Sequence, residues 1–329
     1  MNTTIYVVRH GTTKLNEEMK FQGIMDIPLN ELGEQQGTFL SERFKDIPID
    51  VAISSPLKRA RKTMEYILEY HPHLEMSTDA RLQEINGGIC EGRSFVECEL
   101  FWPGNLELFT TQPGIWKVDN GESGADVYQR MSEAINEIVE AHRGKVIAIA
   151  THGFAIAAYI NYVKGIEPEK MEENVVGNVA ISKFIVDQDN KTTIEYIGDN
   201  AHLPPSLHIH YDWEALKKEK PAVLLNRPNT KFGKKIKELL KEKKLQYVEH
   251  NLANCPLHKI ELERIMELYD KKPIEYLNIT KKQNKKDLPT EINEVIEYIL
   301  EDQNRLKTPI VMTEKEIIIG YKKKELEQL

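Results

Sequence analysis

An arginine and a histidine stand together at Arg9-His10-Gly11, and a second histidine heads a similar turn at Thr151-His152-Gly153. A guanidinium can fork two hydrogen bonds onto a phosphate or carboxylate, and an imidazole can attack an electrophile or move protons near neutral pH. Each corner follows an apolar run, Ile5-Tyr6-Val7-Val8 in the first case and Val146-Ile147-Ala148-Ile149-Ala150 in the second. Such runs read as buried strands, and the glycines as the turns that end them. Strands of an α/β sheet deliver their last residues to the carboxyl edge, where such sheets bind ligands.

Three further segments could join these corners. The stretch Ser54-Ser55-Pro56-Leu57-Lys58-Arg59-Ala60-Arg61-Lys62-Thr63 places Arg59 in the first turn of a helix. Helix amides and a guanidinium can face one anion there. Leu82-Gln83-Glu84-Ile85, followed by Glu91-Gly92, offers a carboxyl group after a short extended run. Phe21-Gln22-Gly23-Ile24-Met25-Asp26 supplies a glycine-turned polar loop.

The elements that must carry these residues alternate strand and helix. A helix is expected over 30–45, with Asn30 as its cap and Glu31 and Glu34 in the first turn. Val51-Ala52-Ile53 reads as a short strand, and Ser55-Pro56 as the opening of a helix to about residue 70. Residues 102–123 read as an irregular, lid-like loop. The aromatics of this region, Phe101, Trp102, Phe109 and Trp116, are assigned to packing. A helix over 124–142 leads into a strand over 145–150 and a helix over 153–163. Strands near 179–187 and 191–198 flank the turn Asp189-Asn190. The pattern is that of a layered α/β domain. After Leu203-Pro204-Pro205 and the charged stretch 217–220 a second unit is expected. It reads as strand 222–226, helix 230–244, strand 247–251, helices 257–269 and 290–302, strands 310–313 and 316–321, and a short terminal helix.

Composition bounds the reading. The 329 residues exceed what one core usually holds, so two domains are expected, 1–212 and 213–329. Residues 1–212 carry 19 Lys+Arg against 32 Asp+Glu, whereas residues 213–329 carry 25 against 20. The first domain is therefore net acidic and the second net basic, which argues for two different jobs. An acidic domain is a poor nucleic-acid binder, so an anionic ligand must be drawn by a local arginine cluster. Residues 146–163 are long and nearly uncharged, but His152-Gly153 divides them into strand and helix, and no membrane association is expected. The first residues carry no basic, apolar leader, and Cys90, Cys98 and Cys255 show no metal or redox spacing. A reducing cytoplasm is the expected location. His208 and His210 lack a third ligand, so no metal site is expected there.

Taken in order, RHGTTKLN, QGIMDIPLNELGEQQG, SSPLKRARKT, LQEINGGICEG, the GES at 121–123, the THG at 151–153 and NAHL at 200–203 resemble the histidine phosphatase superfamily, which includes the cofactor-dependent phosphoglycerate mutases. The resemblance covers about residues 3–205 and implies a layered α/β/α fold. It implies that His10 is a nucleophile that takes a phosphoryl group, and that Arg9, Arg59 and His152 surround the phosphoryl oxygens. Glu84 matches the family's proton donor, while Asn16, Gln22 and Gly23 would line the entrance and contact phosphate or substrate. No metal or other cofactor is implied. His202 is assigned to structure. The compact interval from Glu84 to His152 and the Gly92-Arg93-Ser94-Phe95 run favour hydrolysis of a small phosphorylated metabolite over mutase chemistry, which stays the alternative.

Residues 220–329 resemble the arsenate reductase/Spx family of thioredoxin-like proteins, through the turn Arg227-Pro228-Asn229-Thr230 and the ending TPIVMTEKEIIIGYKKKELEQL. Where that family carries cysteine, sometimes as Cys-x-x-Cys, this chain has Thr230 and Gly233, and Thr308 replaces the arginine before a candidate cis-proline, Pro309. The resemblance therefore implies a redox-inactive binding module. Its lysine-rich helix suits a solvated face or an acidic protein partner, and a regulatory protein that binds a partner through this module is a further alternative.

Overall fold

The computed structural model describes residues 1–172, 174, 176–209, 221–280, 283 and 285–328. It divides into two compact units, Met1–Gly92 with Gly104–Tyr211, and Arg93–Pro103 with Asp212–Leu329.

The first unit is built on six strands: β1 (Thr3–Arg9), β2 (Val51–Ser54), β3 (Met76–Thr78), β4 (Val146–Thr151), β5 (Ile181–Val186) and β6 (Thr192–Asp199). Their order is β3-β2-β4-β1-β5-β6. The first four in that order run parallel, and β5 and β6 complete the sheet antiparallel. β1 and β4 pair in a register that sets Arg9 opposite Thr151. The two His-Gly corners therefore leave the same sheet edge side by side.

Helices α1 (Lys14–Glu17), α2 (Glu31–Phe44) and α3 (Lys58–Ile67) follow in the chain. Leu40 and Phe44 of α2 and Ala60, Met64 and Ile67 of α3 pack with Tyr6, Val8, Ala148 and Ala150 of the sheet. Burying each large apolar side chain contributes roughly 1.5–3 kcal/mol. Asn30 caps α2 as expected, accepting the amide of Gly33 at 2.9 Å. Helix α3 begins at Lys58, two residues beyond Pro56, and its N-cap, Leu57, makes no side-chain cap bond. Helix α4 (Phe95–Phe101) belongs to the second unit. The stretch expected as an irregular lid contains a regular helix, α5 (Asn105–Thr111). Helix α6 (Gly124–Ala141) and α7 (Gly153–Val163) pack on each other, and α7 also contacts β1 and β6. The apolar 146–163 stretch is thus β4, a turn and α7, and among the described residues no helix is long and apolar enough to cross a membrane.

The second unit carries β7 (Ala222–Asn226), β8 (Tyr247–Asn251), β9 (Ile310–Met312) and β10 (Ile317–Ile319), ordered β10-β9-β7-β8. β7 and β8 are parallel, and β9 and β10 antiparallel to their neighbours. Helices α8 (Lys231–Glu242), α9 (Lys259–Leu268), α10 (Ile292–Glu301) and α11 (Lys323–Leu326) complete it, and the Thr308–Pro309 peptide is cis.

Residues 93–103 depart from the expected division at 212/213. They belong to the second unit, where Phe101 joins a core with Val223, Leu225, Leu262 and Ile265. Arg93 pairs with Glu261, and Glu97 with His250, all four side chains being buried. Charges buried at this depth are tolerated only when paired. No hydrophobic period announces such an insertion, because a helix of seven residues looks the same whichever core receives it. The expected boundary itself, the 217–220 stretch and His210 lie outside the described residues.

Candidate active site

His10 ends the run begun by β1 and is buried. Its Nδ1 lies 2.7 Å from the carbonyl oxygen of Gly11. A carbonyl only accepts, so Nδ1 carries the proton in this arrangement and the lone pair sits on Nε2. Burial, then the charges of Arg59 and Arg9, hold the imidazole well below its ordinary pKa. A neutral ring with an available lone pair is the form that attacks phosphorus.

The second corner brings His152 beside it, the ring centroids being 5.1 Å apart. His152 Nε2 is 2.7 Å from Ser55 Oγ. Burial, followed by Arg59 and His10, also pushes its pKa well below the usual value. Arg59 is fully buried on α3, donating from Nη1 to the Met25 carbonyl and from Nη2 to that of Gly23, both at 2.6 Å. Burial lowers its pKa to about 10 against the opposing pull of Glu84 and Glu91. Arg9 Nη1 donates to the Val176 carbonyl at 2.6 Å, and the guanidinium lies over Gly153, where a Cβ would come within 3.3 Å of its Cζ.

Three buried nitrogens of this cluster make no hydrogen bond to the protein: Arg9 Nε, Arg59 Nε and His152 Nδ1. Buried donors are ordinarily paired, and leaving one unpaired costs roughly 1–3 kcal/mol. Two guanidiniums with spare donors around a neutral imidazole suit an oxyanion with several acceptor oxygens.

Glu84 joins from the segment after β3. Its Oε1 accepts the amides of Ile85 at 3.0 Å and Ala155 at 3.2 Å, and Oε2 that of Phe154 at 3.2 Å. The first turn of α7, which begins at the His152 corner, thereby fixes the carboxyl group. Of the remaining expected residues, Asn16 Oδ1 accepts from the Thr13 amide at 3.1 Å and from Asn178 Nδ2 at 3.4 Å. Gln22 Oε1 accepts from Thr13 Oγ1 at 2.9 Å. Both serve the loop after His10 in this arrangement. Gly23 has φ +41°, and its carbonyl anchors Arg59.

Other residues of the site were not singled out by sequence. Asn178 Nδ2 donates to the His10 carbonyl at 3.0 Å. Thr63 Oγ1 accepts the Gly11 amide at 3.0 Å and donates to the Arg59 carbonyl at 2.7 Å, linking the His10 corner to α3. Glu91 Oε1 accepts the amides of Ile24 at 2.8 Å and Gly87 at 3.1 Å, and burial raises its pKa. Thr63 and Glu91 stand inside segments already noted, whereas Asn178 has no local signal.

The aromatics divide. Phe109 contacts Phe21, Trp116 and Phe154 with centroids 5.0–5.8 Å away. Phe101 and Trp102 belong to the second unit instead of the lid. His202 has both ring nitrogens buried and unpartnered, and burial lowers its pKa to about 4. His208 bonds Asn200 and the Leu203 carbonyl, at 3.3 and 3.4 Å.

The chain is similar to several known proteins. The phosphoglycerate mutase-like protein 4 of Arabidopsis thaliana is 32% identical over 201 residues, spanning 60% of this chain and 86% of that protein. The uncharacterized phosphatase PhoE of Bacillus subtilis (strain 168) is 32% identical over 201 residues, spanning 61% and 97%. Among solved structures, Bacillus stearothermophilus YhfR aligns with a TM-score of 0.58 at 29% identity, over 61% of this chain and 98% of that one. The phosphoserine phosphatase of Entamoeba histolytica, solved with 3-phosphoglyceric acid, gives 0.54 at 25% identity over 61% and 100%. The family profile that matches residues 5–200 is that of the histidine phosphatase superfamily (branch 1), and the chain belongs to that superfamily.

Proposed function

We propose that the protein is a metal-independent phosphomonoesterase that works through a phosphohistidine on a small phosphorylated metabolite. The observation that carries this reading is the trio of unpaired buried nitrogens, Arg9 Nε, Arg59 Nε and His152 Nδ1, gathered around a neutral His10. His10 Nε2 attacks phosphorus, the bond from phosphorus to the ester oxygen breaks, and Glu84 delivers a proton to the leaving oxygen. Water then attacks the phosphohistidine, Glu84 takes its proton, and the N–P bond breaks to release phosphate and restore His10. The arginines balance the charge on the equatorial oxygens in both steps, with the neutral His152 ring beside them.

Purified protein should release phosphate from an aryl phosphate in excess chelator, and His10→Ala should abolish release. Turnover retained in that variant would overturn the nucleophile assignment. A mutase shares the first step and returns the phosphoryl group to a second hydroxyl. The relatives include proteins of both names, so incubation with 3-phosphoglycerate and its bisphosphate is the deciding comparison. Isomer formed without free phosphate would select the mutase.

For the second unit we infer a thioredoxin-like, redox-inactive module in a cytoplasmic protein, serving to bind an acidic protein partner. The position after β7 where a thiol would be needed holds Thr230, whose Oγ1 accepts the Gly233 amide at 3.1 Å and caps α8. Exposed lysines 231, 234, 235, 241 and 244 on and just beyond that helix supply the basic face.

A further inference from the structure

The Gly121-Glu122-Ser123 motif has no part in the chemistry proposed above. Ser123 explains itself locally: it caps α6 and accepts the Asp126 amide at 3.2 Å. Glu122 instead accepts from Arg130, Nε to Oε1 at 2.9 Å and Nη2 to Oε2 at 3.0 Å. Its Oε2 also accepts the Asn86 amide at 2.8 Å.

Arg130 is spent on Glu122 and on the segment that ends in Glu84. Nη1 donates to the carbonyls of Arg81 and Gln83, both at 2.7 Å, and Nη2 to that of Glu84 at 3.0 Å. With the two bonds to Glu122, all five N–H donors of the guanidinium are used. None remains for a substrate. Three carbonyls of residues 81–84 thus converge on one planar fork, and the Glu122 bridge to Asn86 holds the chain on the other side of Glu84.

We propose that Arg130, braced by Glu122, is the positioning residue for Glu84. It fixes the backbone from which the carboxyl group reaches the leaving oxygen, while the α7 amides fix the carboxyl group itself. A lysine cannot replace it, since a single ammonium has no fork with which to span three carbonyls and a carboxylate. This inference rests on the reading of Glu84 as the proton donor.

The test compares kcat and KM for an alkyl and an aryl phosphate monoester in Arg130→Met, Arg130→Lys and, as control, Glu84→Gln. An aryl leaving group needs little protonation, so only the alkyl ester reports the acid. Because Glu84 also serves the hydrolysis step common to both esters, the readout is kcat/KM, which ends at transfer to His10: misplacing the acid should lower it for the alkyl ester by roughly 10- to 100-fold in both Arg130 variants, with a far smaller change for the aryl ester. Added guanidinium ion should restore part of the alkyl rate to Arg130→Ala. Equal losses of kcat/KM on the two esters, or an unchanged alkyl kcat/KM, would overturn the positioning role. Should Arg130→Met fail to fold, judged by circular dichroism, Arg130→Lys and Glu122→Gln carry the comparison. If Glu84→Gln itself lowers kcat/KM of both esters alike, the proton-donor reading falls, and the inference with it. If Glu84→Gln is selective and the Arg130 variants are not, only the inference falls.

Discussion

Glu97 and His250 form a buried ion pair across 153 positions of sequence, the carboxylate meeting the imidazole at Nδ1 while Nε2 donates to the Cys255 carbonyl at 2.6 Å. Both ring nitrogens face acceptors, so the ring is held as a cation beside the Glu97 carboxylate. Arg93 and Glu261 repeat the arrangement four residues away in the inserted segment. Removing one partner of a buried pair typically costs about 3–5 kcal/mol. Urea unfolding of Glu97→Ala should therefore show the second unit melting at markedly lower denaturant. A transition at the same midpoint as the parent would show that the pair is not structural.

The pair also sets a pH dependence. Burial pushes His250 down, but its bonds to Cys255 and Glu97 and the charge of Glu97 outweigh this and raise its pKa to about 10. That value exceeds the ordinary 6.5, so the contribution of His250 to stability is complete below about pH 6.5 and is lost as pH rises towards 10. For Glu97, burial is likewise outweighed by His250 and Ser94, and its pKa falls. Its contribution is present above the ordinary 4.5 and is lost as the medium is acidified through its lowered value. Thermal melts should place the second unit's optimum between these limits, and His250→Gln should flatten the alkaline decline.

The insertion makes truncation informative. A fragment of residues 213–329 lacks Arg93, Glu97 and Phe101, leaving Glu261 and His250 without their partners and a gap in the core. It should lack a cooperative melt by circular dichroism. A covalent fusion that restores residues 93–103 should recover one.

His10, the proposed nucleophile, has its own signature. Burial and two arginines hold His10 well below the ordinary imidazole pKa, so it stays neutral where an exposed histidine is half protonated. Nitrogen NMR on selectively labelled protein should find a Nδ1–H tautomer with no titration near pH 6.5. A midpoint at 6.5 would contradict the description of the site.

Gly23 tests the loop that anchors the clamp. Its φ of +41° is unfavourable for other residues, and a Cβ would come within 2.1 Å of Glu91 Oε1. Backbone strain of this kind costs about 1–3 kcal/mol. Gly23→Ala should lower the melting temperature of the first unit and weaken phosphate binding, because the Gly23 carbonyl is one of the two that hold Arg59. Unchanged inhibition by inorganic phosphate would sever the loop from the clamp.

Much of the site was legible locally. Apolar runs ending in His-Gly marked β1 and β4, and the strand-to-helix change before Arg59 and the position of Glu84 needed only neighbouring residues. Element ranges also followed from periodicity, as with the expected 153–163 helix and α7. The helix in the lid was missed because its seven residues lie between Pro103-Gly104 and Pro113-Gly114 with no sustained apolar period. Asn178 was missed because a lone asparagine after a loop carries no pattern, and its value comes only from reaching the His10 carbonyl.

The sequence by itself determined the candidate reacting groups and the strands that present them, since side-chain chemistry and hydrophobic alternation are local properties of the chain. Tertiary structure decided three matters that depend on distance through space. The β1–β4 register brought the two histidines together, and Arg130 closed onto three carbonyls nearly fifty residues upstream. Residues 93–103 went to the second unit because their charges and their Phe101 find partners in its interior. A buried charge takes its stability from whichever opposite charge reaches it, and sequence order does not disclose that partner.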